Sequence, residues 1–255
     1  MVVSTCSFGA RRSSSSWSAA GVFQIQTDIN MTAAARHVAQ FSPRRALSDP
    51  GYVIKTILTE AFGGPVLRPW ALRAQRQQHA VIVAYSSKPI DEITSRLGLA
   101  LPSVRTCVGE VFGYPVPALA KEQRLRYTVR LCPTIRSTNR GETDAFLLAA
   151  DMVSPDAGLT RDAIYRQYLA ERLPGVRLDT CRLEGFQLHA MVRKREGGSG
   201  LAARKFPDAV LSGELTLVEP SLFMEVLAKG VGRQRAFGYG MVMLQPATAY
   251  ENNET

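Results

Sequence analysis

Apolar and polar residues alternate from Val22 to Asn30 (VFQIQTDIN), which is the two-residue period of a half-buried strand. The following segment SDPGYVIKTILTEAFGG carries its apolar residues at helical spacing. Ser48 and Asp49 are candidate N-caps, Pro50 occupies an early helical position, and Gly63 ends the pattern. The pattern therefore predicts a strand followed by a helix.

Four further segments complete the first half of the chain. LRPWALRAQ and HAVIVAYSS predict strands, PIDEITSRLG predicts a helix, and SVRTCVGEVFGY predicts an extended segment before Pro115 and Pro117. The predicted order is strand, helix, strand, strand, helix, strand.

The same order recurs after the linker PVPALAKEQ. RLRYTVRLCPTIR predicts a strand, and TRDAIYRQYLAERLPG predicts a helix that Pro174 and Gly175 end. VRLDTCRLEGFQLHAMVRKR and DAVLSGELTLVEP predict strands, SLFMEVLAKG predicts a short helix, and GYGMVMLQPA predicts a final strand. Two consecutive β-α-β-β-α-β units predict an α+β protein of tandem ferredoxin-like (RRM-like) domains, each a four-stranded antiparallel sheet with helices on one face.

The predicted domains span residues 21–116 and 124–248, and residues 31–49 form a basic insertion in the first. Residues 1–20 combine two arginines with a serine run and are expected to be a disordered leader, and residues 249–255 are expected to be a tail. No apolar segment in the leader reaches the length of a signal-peptide core or a membrane span, so no membrane role is expected.

Lysine and arginine outnumber aspartate and glutamate by 31 to 22, which gives a formal net charge of +9. Such an excess favours a polyanionic partner, although a soluble basic protein without one is the alternative. The cysteines Cys6, Cys107, Cys132 and Cys181 lie far apart and lack metal-ligand spacing. They are expected to be reduced thiols of a cytoplasmic protein.

Basic residues concentrate in an arm, VRKREGGSGLAARKFPD, between two predicted strands of the second domain. Its glycines predict a mobile hairpin tip, and its charge predicts contacts with RNA phosphates, with a solvated surface loop as the alternative. The five basic residues of the arm are Arg193, Lys194, Arg195, Arg204 and Lys205.

A glycine-rich segment, GVGRQRAFGYG, lies between the last predicted helix and the last predicted strand. A P-loop would need a lysine and a following helix, and a dinucleotide loop would also need a following helix, whereas MVML predicts a strand. Glycines allow backbone N–H groups to approach a phosphate closely, and arginines supply charge. We therefore expect an anion site here, with a turn that packs a helix against its strand as the alternative. Its residues are Gly230, Gly232, Arg233, Arg235, Gly238 and Gly240.

GVGRQRAFGYGMVML resembles the C-terminal glycine-rich loop of the RAMP superfamily of CRISPR-associated proteins, and specifically of the endoribonucleases that cut precursor CRISPR RNA within its repeats. SDPGYVIKTILTEAFGG with RPWALRAQRQQHAVIVAYSS resembles the first helix and following strands of the subtype I-E processing enzymes, and RYTVRLCPTIR resembles the strand that opens their second domain. The similarity covers most of residues 22–247. It implies tandem ferredoxin-like domains, a repeat stem-loop RNA and mature guide RNA as ligands, other effector-complex subunits as partners, and no metal or cofactor.

The resemblance also implies a mechanism in which a 2′-hydroxyl attacks the adjacent 3′ phosphate and leaves a 2′,3′-cyclic phosphate. In subtype I-E enzymes a tyrosine and, three residues later, a histidine on the first helix serve this site. Tyr52 matches the tyrosine, but Lys55 stands at the histidine position. Lys55 is expected to stabilise the transition state or move a proton, with a solvated surface lysine as the alternative.

The inserted segment supplies a second set of candidate catalytic and RNA-binding residues: Arg36, His37, Arg44 and Arg45. A processing enzyme with an arginine-rich insertion and no usual histidine is similar to the type IV branch, whose enzyme stays bound to its product. The other histidines, His79 and His189, lie in predicted strands and are expected to be structural. Two alternatives remain open, namely a non-catalytic RNA-binding subunit of a CRISPR complex and a protein that binds other structured RNA.

Overall fold

The structure, a computed structural model, describes residues 21–137, 141–152, 154, 158–194 and 200–247. The expected leader (1–20), the expected tail (249–255) and Arg195 lie outside the described residues, as does the side chain of Lys194.

The first half of the chain forms one antiparallel sheet with the strand order β2-β3-β1-β4. This is the ferredoxin-like order, in which the first and third strands lie at the centre. The elements are β1 (Phe23–Asn30), α1 (Met31–Ala39), α2 (Pro43–Ser48), α3 (Pro50–Phe62), β2 (Trp70–Arg76), β3 (His79–Ser86), α4 (Ile90–Leu99), α5 (Pro102–Arg105) and β4 (Val108–Pro115).

The second half repeats the arrangement with the strand order β11-β5-β10-β8, and β9 pairs with the free part of β10. The prediction of a tandem ferredoxin-like α+β fold is confirmed. The elements are β5 (Arg124–Leu131), β6 (Thr134–Ser137), β7 (Gly141–Asp144), α6 (Ala145–Ala150), α7 (Arg161–Ala170), β8 (Val176–Leu178), β9 (Arg182–Lys194), β10 (Leu201–Leu217), α8 (Pro220–Lys229) and β11 (Val242–Pro246).

Alternation along the strands places the core of the first sheet under α3. Ile25 and Ile29 of β1 and Ile82 of β3 are buried on one face, where they form a cluster with Ile57 and Phe62 of α3. Each such side chain contributes about 1.5–3 kcal/mol when it leaves water. This burial fixes the face that α3 turns towards the sheet.

The opposite face of the first sheet packs against the second half of the chain. Val83 and Tyr85 of β3 belong to the same core cluster as Val129 of β5. The Tyr85 hydroxyl donates to the carbonyl of Val242 at 3.0 Å, and burial raises the pKa of this phenol. The two sheets therefore share a core at this face.

Four sequence predictions are wrong in detail. SVRTCVGEVFGY is not wholly extended, because Pro102 starts the short helix α5, as proline at a first helical position commonly does. RLRYTVRLCPTIR is not one strand, since Pro133 lacks the N–H needed to continue β5 and the chain turns into the small β6–β7 sheet. VRLDTCRLEGFQLHAMVRKR is also not one strand, because it divides into β8 and β9, which pair with different parts of β10. The sequence patterns also missed α6.

The basic arm differs from its prediction as well. Pairing of β9 with β10 continues as far as Lys194 opposite Leu201, so Arg193, Arg204 and Lys205 lie in paired strands and not in a mobile loop. Among the described residues, no helix combines the length and apolarity needed to cross a bilayer.

Candidate nucleic-acid interface

Asp49 fixes the start of α3. Its carboxylate accepts hydrogen bonds from the backbone N–H of Tyr52 (2.9 Å) and of Val192 on β9 (3.1 Å), and from Nη1 of Arg193 (2.8 Å). The side chain is only 1% exposed. The N-cap predicted from sequence thus also anchors α3 to the second half of the chain, which fixes the position of Tyr52 and Lys55 on the following turns.

Two cations surround the ring of Tyr52. Cζ of Arg45 lies 4.4 Å from the ring centroid, and Nζ of Lys55 lies 5.7 Å from it. Attraction between a guanidinium and an aromatic face contributes about 0.5–2 kcal/mol, depending on exposure. Arg45 therefore brings the inserted segment into contact with Tyr52 on α3.

Lys55 lines a cavity of about 270 Å³ between α3, the loop from Gly64 to Arg68, and Ala236 of the glycine-rich segment. Arg68 lines the same cavity and is exposed. Within the described part of the chain, neither Lys55 nor Arg68 forms an ion pair. Two uncompensated cations at one cavity favour an anion such as an RNA phosphate. Arg68 was missed from the sequence, where it is one arginine near the start of the predicted strand LRPWALRAQ.

The glycine-rich segment folds back on the protein. Gly238 and Gly240 have φ of +86° and +79°, which L-residues rarely adopt. A Cβ on Gly238 would lie 2.7 Å from the Trp70 ring, and one on Gly240 would meet the carbonyl oxygen of Val231. These contacts explain the glycines by packing, which was the alternative interpretation.

The two arginines of this segment bind groups of the same chain. Arg233 forms an ion pair with Glu142 of β7, and its side chain is 39% exposed. Nη1 of Arg235 donates to the carbonyl of Lys229 at 2.7 Å, at the C-terminal end of α8. The segment thus supplies the wall of the Lys55 cavity, and an anion contact by Arg233 or Arg235 stays a prediction.

A family model described as CRISPR associated protein matches residues 26–246. The chain belongs to this family. The match covers both ferredoxin-like sheets and the Lys55 cavity between α3 and the glycine-rich segment.

Known proteins of the CRISPR-associated family resemble this chain in sequence and fold. The endoribonuclease Cse3 of Thermus thermophilus is 28% identical over 130 residues, which are 51% of this chain and 59% of that protein. The chain thus aligns with less than two thirds of that relative. A structure of the endoribonuclease Cse3 bound to a 19-nucleotide RNA has a TM-score of 0.63 at 20% identity, and the match covers 89% of this chain and all of that one. The structure of Cas6e of Escherichia coli K-12 has a TM-score of 0.51 at 15% identity, and the match covers 88% of this chain and all of that one.

The predicted catalytic residues of this CRISPR-associated protein divide into two places. Tyr52 and Lys55 lie together on α3. Nε2 of His37 instead lies 2.7 Å from Oε2 of Glu60, near the C-terminal end of α3, and its ring packs edge-on against Phe41. His37 does not line the Lys55 cavity.

The inserted arginines also separate. Arg44 donates from Nη1 to the carbonyl of Leu201 on β10 at 3.0 Å. This hydrogen bond connects the inserted segment to the basic arm. Arg36 is exposed on α1. The structure brings Arg45, Tyr52 and Lys55 together, and leaves Arg36 and Arg44 outside that group.

The arm residues differ in exposure. Arg193 is partly buried against Asp49 and Phe237, and the Phe237 ring centroid lies 3.9 Å from Cζ of the guanidinium. Arg204 and Lys205 are exposed on β10. Arg193 is therefore held by Asp49 and Phe237, and RNA contacts by Arg204 and Lys205 stay a prediction.

Proposed function

We propose that this protein is a metal-independent endoribonuclease that cleaves precursor CRISPR RNA within its repeat hairpin and then retains the mature guide RNA. Membership of the CRISPR-associated family supports CRISPR RNA as the ligand. Sequence similarity to the endoribonuclease Cse3 supports the cleavage activity. The observation that carries the proposal is the cavity in which Lys55 and Arg68 meet without acidic partners in the described residues, beside Tyr52.

The scissile phosphate would lie in this cavity between Lys55 and Arg68. The 2′-hydroxyl oxygen of the preceding nucleotide attacks phosphorus and loses its proton to water. The bond from phosphorus to the 5′ oxygen breaks, and the leaving oxygen takes up a proton from the Lys55 ammonium, which solvent then reprotonates. The products are a 2′,3′-cyclic phosphate and a 5′-hydroxyl. Negative charge grows on the phosphoryl oxygens in the transition state, and fixed cations stabilise it most where water is excluded.

Lys55 and Tyr52 carry the chemistry in this proposal. The Lys55 ammonium stabilises the pentacoordinate phosphate and can give a proton to the leaving oxygen. Arg45 packs on the Tyr52 ring and orients it. We assign Arg36 and Arg44 to phosphate contacts outside the reacting group, and His37 to the interface of α1 with α3 through Glu60.

RNA affinity comes from exposed cations along the arm and the insertion, with Arg204 and Lys205 directed at the repeat stem. A-form RNA stems are recognised mainly by shape and backbone contacts. We place the protein in the cytoplasm with other CRISPR effector subunits as partners. The free thiols Cys107, Cys132 and Cys181 are consistent with a reducing compartment.

The test is incubation of purified protein with labelled repeat RNA in EDTA, beside a matched RNA that carries one 2′-deoxy nucleotide at the cut. Cleavage in EDTA that the deoxy substitution abolishes would support the proposal. Cleavage of the deoxy RNA would exclude 2′-hydroxyl attack, and cleavage only when a divalent metal is added would exclude the metal-independent mechanism.

Lys55 at the position where similar enzymes have a histidine favours a second candidate, a non-catalytic RNA-binding subunit of a CRISPR complex. Salt-sensitive binding of the repeat without any cleavage would favour this candidate. A similarity to the type IV branch, where the enzyme keeps its product, agrees with either role.

A further inference from the structure

A second cavity, of about 200 Å³, lies next to the Lys55 cavity. Trp70 lines both, while Ala236 lines the first and Phe237 the second. The second cavity brings together the first turn of α3, strands β2, β5 and β9, and Tyr239. Its volume is below the 300–1,000 Å³ of pockets for drug-sized ligands, so it suits a single ring system.

The charged residues of this cavity are already paired. Nε and Nη2 of Arg130 lie 2.8 and 2.7 Å from the two carboxylate oxygens of Asp208, and Asp49 is paired with Arg193. A phosphate would find no uncompensated cation among these groups. The cavity therefore favours a neutral ligand.

The walls of the cavity are aromatic and held in place. The Trp70 indole donates from Nε1 to the carbonyl of Ala236 at 3.0 Å. Arg193 packs on the Phe237 ring at 3.9 Å, and Arg130 packs on the Tyr239 ring at 4.7 Å. Trp70 and Tyr239 are only 3% and 1% exposed, so the partly exposed Phe237 offers the ring surface on which a flat ligand can stack.

Two polar side chains of the cavity lack partners. Gln75 of β2 is exposed and His189 of β9 is partly exposed, and neither forms a hydrogen bond within the described residues. An amide and an imidazole offer donors and acceptors at the edge of a heterocycle.

We propose that this second cavity is a nucleobase subsite, in which one unpaired base of the RNA stacks on Phe237 and is hydrogen-bonded by Gln75 and His189. The inference rests on the proposed function for the identity of the ligand. Because Trp70 lines both cavities, the bound base belongs to a nucleotide next to the phosphate in the Lys55 cavity. His189, expected from sequence to be structural, becomes a specificity residue.

The first test scans repeat RNA with single abasic nucleotides around the cut and measures Kd and single-turnover rate. For wild-type protein, one abasic position should weaken binding about fivefold to 150-fold, since stacking of one base contributes about 1–3 kcal/mol. With the double variant Gln75→Ala/His189→Ala, that position should show a smaller penalty, because the base then keeps its stacking contact but loses its two hydrogen-bonding partners. The matched control Gln245→Ala, an exposed glutamine on β11, should keep the wild-type profile.

The second test uses no cleavage. In a Trp17→Phe background, Trp70 is the sole tryptophan, so its fluorescence reports titration with AMP, CMP, GMP or UMP against ribose 5-phosphate. At least one nucleotide should quench Trp70, ribose 5-phosphate should not, and Gln75→Ala/His189→Ala should weaken the response.

The two tests separate failure of the subsite from failure of the function. Equal abasic penalties in wild-type and variant protein, with cleavage intact, would overturn the subsite alone. If the protein neither binds nor cuts repeat RNA, the proposed function fails, and the nucleotide titration still decides the subsite. If ribose 5-phosphate quenched Trp70 as strongly as the nucleotides do, the nucleobase subsite would be overturned.

Discussion

The buried carboxylate of Asp49 and the partly buried guanidinium of Arg193 form an ion pair, with Nη1 2.8 Å from Oδ2. The pair joins the first turn of α3 to β9, in the other half of the chain. Asp49 also accepts the N–H of Val192, so the helix that carries Tyr52 and Lys55 is positioned by the second sheet.

Arg193→Ala should destabilise the protein by about 3–5 kcal/mol, because it leaves the Asp49 carboxylate buried without its cation. Urea unfolding measures this free energy. The control Arg124→Ala removes an arginine that is 61% exposed, and it should change the free energy by less than about 1 kcal/mol. Equal effects of the two substitutions would contradict the structural role of Arg193.

Lys205→Ala should lower the slope of log Kd for repeat RNA against log salt by about one, as expected for loss of one phosphate contact. Lys205 is exposed on β10, whereas Arg193 is held by Asp49. Arg193→Ala should therefore leave the slope unchanged when measured at a temperature where the variant is folded. An unchanged slope for Lys205→Ala would place the RNA away from this part of the arm.

Lys55→Ala and Arg68→Ala should each slow single-turnover cleavage about 10²- to 10³-fold, which is the usual loss when one transition-state donor is removed. RNA affinity should change much less, since each variant loses one of many cationic contacts. Lys88→Ala, which removes a lysine that is 44% exposed and paired with Glu92, is the control and should cleave at the wild-type rate. Wild-type rates for both cavity variants would move the active site elsewhere.

Gly240→Ala should lower the unfolding free energy by more than about 1 kcal/mol, because an alanine there combines a positive φ with a clash against the Val231 carbonyl. Gly98→Ala in α4 is the matched control, since a Cβ there meets no atom within 4 Å. It should stabilise the protein by about 0.4–1 kcal/mol. Thermal and urea unfolding of both variants decide between a packing role and a merely flexible loop.

Acid should lower the free energy of unfolding of the protein, partly because Asp208 becomes protonated. Burial alone raises the pKa of this carboxyl, but hydrogen bonds from Arg130 and Gln187 outweigh it and hold the pKa below its ordinary value. A depressed folded-state pKa stabilises the protein above the unfolded-state value of about 3.9, and the stabilisation is lost as pH falls below it through the folded-state pKa. Asp208→Asn should flatten the fall in unfolding free energy over this acid range. An unchanged profile would show that Asp208 does not contribute to it.

Local patterns predicted most of the fold. Alternation in VFQIQTDIN and helical spacing after Asp49 gave β1 and α3 to within a residue, because these segments bury one face against a single neighbouring layer. The predictions failed at Pro102 and Pro133, where the chain leaves the predicted strand. The side chains of both segments fit a strand pattern, but proline lacks the backbone N–H that strand pairing needs.

The sequence by itself determined the repeated β-α-β-β-α-β order, the excess positive charge, and Tyr52 and Lys55 as neighbours on one helix, because each depends on residues close together in the chain. Tertiary structure alone decided which cations remain available for RNA. Arg193 and Arg233 were as good candidates by sequence as Lys205, yet each meets a carboxylate from a distant segment, Asp49 or Glu142. Arg68 and His189 line cavities built from segments that are far apart in the chain, and their proposed roles depend on those cavities. Packing between distant segments determines these pairings, so the pattern of neighbouring residues in the sequence cannot predict them.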